Sequence, residues 1–204
     1  MISGKLYIIS APSGAGKTSL VAALIESLDL ITVSTSHTTR VKRAGETSGE
    51  HYHFTTVDRF EELITEGAFL EYAKVFDHYY GTARTSIIDQ LEAGNDVILE
   101  IDWQGAQQVR QRMPEASSIF ILPPSKMALQ DRLEGRGQDS AEIIARRMQD
   151  AVSETSHYHE YDYLIINDDF DQALVELRSI FMANRLESKA MIEKHTGLLA
   201  DLLA

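Results

Sequence analysis

The sequence predicts an α/β fold in which a central parallel sheet is flanked by helices. Three observations carry that prediction. Short runs of β-favouring apolar residues alternate along the chain with segments whose apolar residues recur at helical spacing. The runs are apolar on both faces, as strands covered from two sides must be. The segments joining consecutive runs are long enough to hold a helix, which parallel neighbours require.

Leu6–Ser10 is the first strand, followed by a glycine-rich turn and a helix from Thr18 to Leu28. From Ser86 onward Ile87, Ile88 and Leu91 share a helical face until Gly94 and Asn95 stop it, and Asp96–Ile101 is the next buried strand. Gln104–Met113 is helical up to Pro114, Ser118–Leu122 is a strand, and Met127–Leu133 and Ala141–Val152 are helices. Tyr163–Ile166 is a strand and Ala173–Lys194 a long C-terminal helix. Between Ser34 and Thr82 the rhythm breaks. There His51–Phe54 and Phe69–Val75 read as strands of a smaller, more antiparallel unit around a helix over Val57–Glu66, an inserted subdomain. The polar stretch Glu134–Glu142, between two Arg-bearing helices, reads as a mobile lid.

The 204 residues carry 19 Lys and Arg against 31 Asp and Glu, a formal net charge of −12, with 44 % hydrophobic and 25 % charged residues. This is the composition of a soluble globular chain with one large domain, or one domain carrying an insertion. So acidic a field repels nucleic acid and anionic membrane, so neither is an expected partner, and any bound anion needs a local basic pocket. Cysteine is absent, which leaves no disulfide framework and no thiolate metal site. No apolar run approaches the roughly 18 residues of a membrane span. Met1-Ile2-Ser3-Gly4-Lys5 leads almost directly into a strand, without room for a signal peptide, so the cytoplasm is the expected location. Oligomeric state is set by no feature, and a homo-oligomer stays open.

Ala11-Pro12-Ser13-Gly14-Ala15-Gly16-Lys17-Thr18 lies between a buried strand and a helix, the setting a phosphate-binding loop requires. Its glycines let backbone N–H groups turn inward around an anion, and the helix N-terminus adds positive potential. Lys17 is placed to reach β and γ phosphates, and Thr18 to ligate Mg²⁺ together with water and phosphate oxygens. The first position is Ala11 where the strict pattern has Gly, which requires only that this residue keep φ below zero. A nucleoside triphosphate is the expected ligand. The histidine pairs His51/His53 and His157/His159 lack a third ligand at suitable spacing and are not read as a metal site.

Beyond the loop come Ser36-His37-Thr38-Thr39-Arg40 with Arg43, Gly45-Glu46, Gly49-Glu50-His51-Tyr52, Phe69-Leu70-Glu71 and Tyr79-Tyr80-Gly81-Thr82. Further on are Ile101-Asp102-Trp103-Gln104-Gly105, Arg132 to Gly137, and Ile166-Asn167-Asp168-Asp169. In this order and spacing they resemble the guanylate kinases over nearly the whole chain. The resemblance implies a P-loop NTPase core of residues 1–33, 83–125 and 160–204, a GMP-binding subdomain at 34–82 and a helical lid at 126–159, all within one domain. It implies transfer of the γ-phosphate of ATP to GMP, and also to dGMP, giving ADP and GDP, with Mg²⁺ accompanying ATP.

The resemblance also assigns residues. Lys17, Arg40, Arg132, Arg136 and Arg147 take catalytic places. Ala11, Pro12, Ser13, Gly14, Ala15, Gly16, Lys17 and Thr18, with Arg136, Asn167 and Asp168, contact ATP. Ser36, Arg40, Arg43, Tyr52, Glu71, Tyr80, Thr82, Glu100 and Asp102 contact GMP or organise its site, with Glu100 standing where the family commonly has Asp. The chemistry is consistent with this. Guanine shows two donors, N1–H and the 2-amino group, beside the O6 acceptor, so a carboxylate at Glu71 and a hydroxyl at Ser36 would select it and leave partners unpaired against adenine. Arginine suits a phosphate dianion because its planar fork donates two parallel hydrogen bonds.

Two other classes compete: a non-catalytic module that binds a phosphorylated peptide, and a phosphate-loop enzyme with a different acceptor. A degraded loop or lid would mark the first, but Lys17, Thr18, Arg132, Arg136 and Arg147 are present. A panel of GMP, AMP, UMP and dGMP separates the second.

Overall fold

The computed structural model describes residues 4–75, 77–135 and 140–204. Its main sheet has five strands, β1 (Leu6–Ser10), β2 (Ile31–Val33), β7 (Asp96–Glu100), β8 (Ser117–Leu122) and β9 (Tyr163–Ile166), in the order β2-β7-β1-β8-β9. All four pairings are parallel. Because side chains alternate along a strand, Tyr7 and Ile9 enter one core and Leu6 and Ile8 the other. The first core is closed by helices α1 (Lys17–Ser27) and α7 (Phe170–Arg185) through Leu20, Leu24, Leu177 and Phe181, the last stacked on Tyr7. The second is closed by α3 (Arg84–Glu92) and α4 (Trp103–Arg112) through Ile87, Leu91, Ala106 and Val109.

The stretch that breaks the alternating rhythm builds a second sheet. Strands β3 (His37–Thr38), β4 (His53–Phe54), β5 (Phe69–Val75) and β6 (His78–Ala83) stand in the order β4-β3-β6-β5, and only β3 and β4 are parallel. Helix α2 (Val57–Thr65), capped by the Thr56 side chain, inserts fully buried Phe60 against Phe69 and Tyr79. The outer edge of β5 is fastened to α4. The Gln108 side chain imitates a neighbouring strand, accepting from the Tyr72 N–H (3.2 Å) and donating to the Tyr72 carbonyl (2.7 Å). Arg112 donates to the carbonyls of Phe69 and Leu70.

Helices α5 (Lys126–Gly135) and α6 (Ala141–Thr155) pack together through Leu129, Leu133 and Ala151. Arg136 and the heart of the expected lid lie outside the described residues. Among the described residues no helix is long and apolar enough to cross a membrane.

Three expectations need correction. The C-terminal helix does not run unbroken to Lys194: α7 ends at Arg185, and α8 (Ser188–Lys194) and α9 (Thr196–Leu203) follow. The break is held by polar contacts to the sheet end, Arg185 to Asp96 (2.8 Å) and to the Asp29 carbonyl (2.8 Å), and Lys5 to Glu187 (2.8 Å). The strand expected over His51–Phe54 shrinks to His53–Phe54, because His51 Nδ1 accepts from the Thr47 N–H and closes a turn instead. Strands β2 and β3 were not expected; both are too short to show a period.

Phe60→Ala leaves a cavity under the second sheet and is expected to destabilise it by about 3–5 kcal/mol. Hydrogen exchange should show lost protection in β5 and β6 while β1 and β7 keep theirs.

Candidate active site

Parallel strands send their carboxyl ends to one edge, and in open α/β sheets ligands bind there. Here β1 runs into Ala11–Gly16, β7 into Asp102, β9 into Asn167, and β2 is followed by Ser36. The loop after β1 turns twice through the left-handed region, at Gly14 (φ 94°) and Gly16 (φ 93°), while Ala11 keeps a φ outside it. The loop is braced from behind. Asn167 Nδ2 donates to the Ala15 carbonyl (2.7 Å), and Arg132 donates to the Ala15 carbonyl (3.4 Å) and the Asn167 carbonyl (2.8 Å). A Cβ at Gly16 would stand 2.3 Å from Asn167 Nδ2, so the brace needs glycine there.

In front of the loop opens a cavity of about 320 Å³. It is lined by Pro12, Ser13, Gly14, Gly16, Lys17 and Thr18 of the loop, by Ser36, Tyr52, Glu71 and Tyr80 of the second sheet and its approach, and by Glu100 and Asp102. Residues far apart in sequence thus share one space.

Glu71 is 3 % exposed and ends in this cavity. Thr82 Oγ1 donates to Glu71 Oε1 (2.6 Å), and Ser36 Oγ lies 3.3 Å from Thr82 Oγ1. Burial, reinforced by Asp102, pushes the Glu71 carboxyl up to about 7, although Thr82 and Arg112 pull the other way. Helix α4 begins beside it: Asp102 caps the helix by accepting from the Gly105 N–H (2.9 Å), and a Cβ at Gly105 would stand 2.6 Å from Glu71 Oε2.

Lys17 is half-buried, and desolvation lowers its pKa against the pull of Glu100, Glu154 and Asp102. Thr18 Oγ1 donates to Glu100 Oε2 (3.3 Å). Thr18, Glu100 and Asp102 all line the cavity, hard-oxygen donors of the kind that suits Mg²⁺.

The expected residues are not all at the cavity wall. Thr82 is buried behind Glu71 and orients it. Arg40 forms a bidentate pair with Glu46 (2.6 and 3.1 Å) and sits 5.4 Å from the centre of the Tyr52 ring; this pairing pulls the Glu46 carboxyl down to about 2. Arg43 joins that turn through its N–H to Glu46 (2.7 Å). Asn167 spends its amide on the loop, Asp168 is exposed beside it, and Arg132 and Arg147 on α5 and α6 stand outside the cavity lining. Glu154 lines the cavity and is reached only through the fold. No local sequence pattern marks it, though it lies seven residues after Arg147 and hence on the same helical face.

A glycine-rich loop of this geometry at the strand ends, facing a second polar wall across one cavity, defines a P-loop kinase fold. Comparison with known proteins narrows the class. The family model for guanylate kinase matches residues 3–184. The guanylate kinase of Escherichia coli (strain K12) is 58 % identical over 206 aligned residues, covering 100 % of both chains. That of Pseudoalteromonas translucida is 58 % identical over 98 % of this chain and 97 % of its own. The crystal structure of guanylate kinase from Anaplasma phagocytophilum superposes with a TM-score of 0.76 at 33 % identity, over 91 % of this chain and 88 % of that one. The chain belongs to the guanylate kinase family.

Gly105→Ala tests the packing of α4 on Glu71. The added methyl displaces the end of one side chain and no backbone, so the protein should fold with the Glu71 carboxylate moved; on the reading proposed below, GMP binding then weakens roughly ten- to a hundredfold. Calorimetric titration with GMP and with Mg-ATP should show the loss for GMP alone.

Proposed function

We propose that this protein transfers the γ-phosphate of ATP to GMP, yielding ADP and GDP, and that the cavity holds the two nucleotides end to end. The observation that carries the reading is a buried carboxylate, Glu71, sharing one cavity with the phosphate loop. Loop N–H groups and Lys17 grip the β and γ phosphates. Glu71 accepts from guanine N1–H and the 2-amino group, and Ser36 faces O6. dGMP carries the same base and is accepted by the same contacts. Arg40, Arg43, Tyr52 and Tyr80 gather around the acceptor phosphate, and Glu46 keeps the Arg40 fork aligned until the phosphate arrives.

The attacking oxygen belongs to a phosphate that is already ionised, so no general base is needed, and catalysis consists of alignment and charge stabilisation. Arg132, Arg136 and Arg147 supply positive charge to the transferring group. Thr18, with Glu100 and Asp102, would hold Mg²⁺, which would supply charge neutralisation for the phosphates. Asn167 and Asp168 mark the adenine end. The division into core, GMP-binding subdomain 34–82 and lid 126–159 belongs to this reading, as does a cytoplasmic location.

An acceptor panel with Mg-ATP tests it. ADP release should depend on GMP and, more weakly or equally, on dGMP, and not on AMP or UMP; release independent of GMP contradicts the proposal. Glu71→Gln should weaken GMP at least tenfold while sparing ATP, since it turns an acceptor toward donors into a donor.

Two pH effects follow from the raised Glu71 carboxyl. GMP needs it ionised, so GMP affinity should fall about tenfold from pH 8 to pH 6. Glu71→Gln should retain only the titration of the GMP phosphate, near pKa 6. For stability the sign is opposite: the folded state holds the proton more tightly than the unfolded one, so stability is lost as pH rises from about 4.5 to about 7. In thermal melts without ligand, Glu71→Gln should match or exceed the unsubstituted protein at pH 8, and that advantage should disappear at pH 5.

A further inference from the structure

Glu154 lines the cavity without any part in the mechanism above. It projects from the C-terminal turn of α6, and its Oε2 accepts the N–H of Ser13 (3.2 Å), so a carboxylate oxygen sits on the phosphate loop itself. Attraction to Lys17 holds it there, while Asp102 and Asp150, whose Oδ2 is buried and unpartnered, press against it. Burial raises its carboxyl to about 7.

A loop N–H carries one hydrogen, and a carboxylate and a phosphate oxygen are both acceptors. Two anions at one amide also repel in a half-desolvated site. One of them must leave. We propose that Glu154 is a positioning residue that takes the Ser13 N–H where a phosphate oxygen would take it, and is expelled from the loop when the triphosphate binds.

The chain next to Glu154 is fixed to α4, so its carboxylate is held at the loop from the same end of α6. Just beyond the helix, His157 stacks on Trp103 at 3.8 Å, one residue from Asp102, and its Nδ1 lies 2.6 Å from Glu160. Glu160 is gripped by Arg110 (2.6 Å) and Gln107 (3.1 Å) on α4. The inference rests on the ATP and GMP reading given above.

Glu154→Gln and Glu154→Ala, in the full chain, test it. Mg-ATP titrated calorimetrically should bind roughly three- to tenfold more tightly to both variants than to the unsubstituted protein. KM for ATP should fall with it, and KM for GMP should not change, a split that a merely structural role would not produce. Thermal melts and circular dichroism establish that both variants are folded; if one is not, the other decides. Unchanged or weaker ATP binding in either folded variant overturns the proposal, and weakening in the alanine variant alone would mean that Glu154 stays to donate a proton to the phosphate. If the unsubstituted protein binds Mg-ATP but phosphorylates no GMP, the functional reading fails instead.

Discussion

A carboxylate without full hydration is costly unless donors meet it, and the arrangement around Glu71 is organised by that constraint. Thr82 meets it with its hydroxyl and its backbone N–H, and the carboxylate lines the cavity. The missing side chain at Gly105 allows α4 to begin against the carboxylate, and Gln108 and Arg112 of the same helix fasten β5 to it. Glu71 is thus held by the joint between the two sheets. On the proposed reading, a base that offers two N–H groups completes its hydrogen bonding, and adenine offers neither in that polarity. Selectivity and the cost of burying the carboxylate then have one origin.

The same logic runs through the other end of the cavity. A protein of net charge −12 must receive two polyanions. Its cations and loop donors are paired within the protein: Arg40 with Glu46, Arg132 with backbone carbonyls, and the loop with Glu154. On the proposed reading each contact keeps a donor ordered and is exchanged for a phosphate. Preorganisation of this kind lowers the ordering cost at the moment of binding.

Much of this was legible in the sequence. Leu6–Ser10, Phe69–Val75 and Tyr163–Ile166 are apolar or alternating runs with clear stops, and they are strands as read. The loop declared itself because strand, glycines, Lys17 and Thr18 fall in one contiguous stretch. Strands β2 and β3 were hidden, since three and two residues hold too little pattern to set a period. The break after Arg185 was hidden too, because contacts from Asp96, Asp29 and Lys5, remote in sequence, produce it. Chemically, many of the residues that line the cavity were singled out from the sequence, but Thr82 supporting Glu71, Asn167 bracing the loop and Glu154 bonded to it depend on side-chain direction. Such directions are fixed by packing between segments, not by local spacing.

The central claim is that Glu71 reads the guanine base across the cavity from the phosphate loop. A crystal structure with GMP and a non-hydrolysable ATP analogue tests it most directly. The account predicts Glu71 oxygens within hydrogen-bonding distance, about 3 Å, of guanine N1 and the 2-amino nitrogen, with the triphosphate on the Gly14–Thr18 turn. GMP bound elsewhere, with Glu71 still paired only to Thr82, would contradict it.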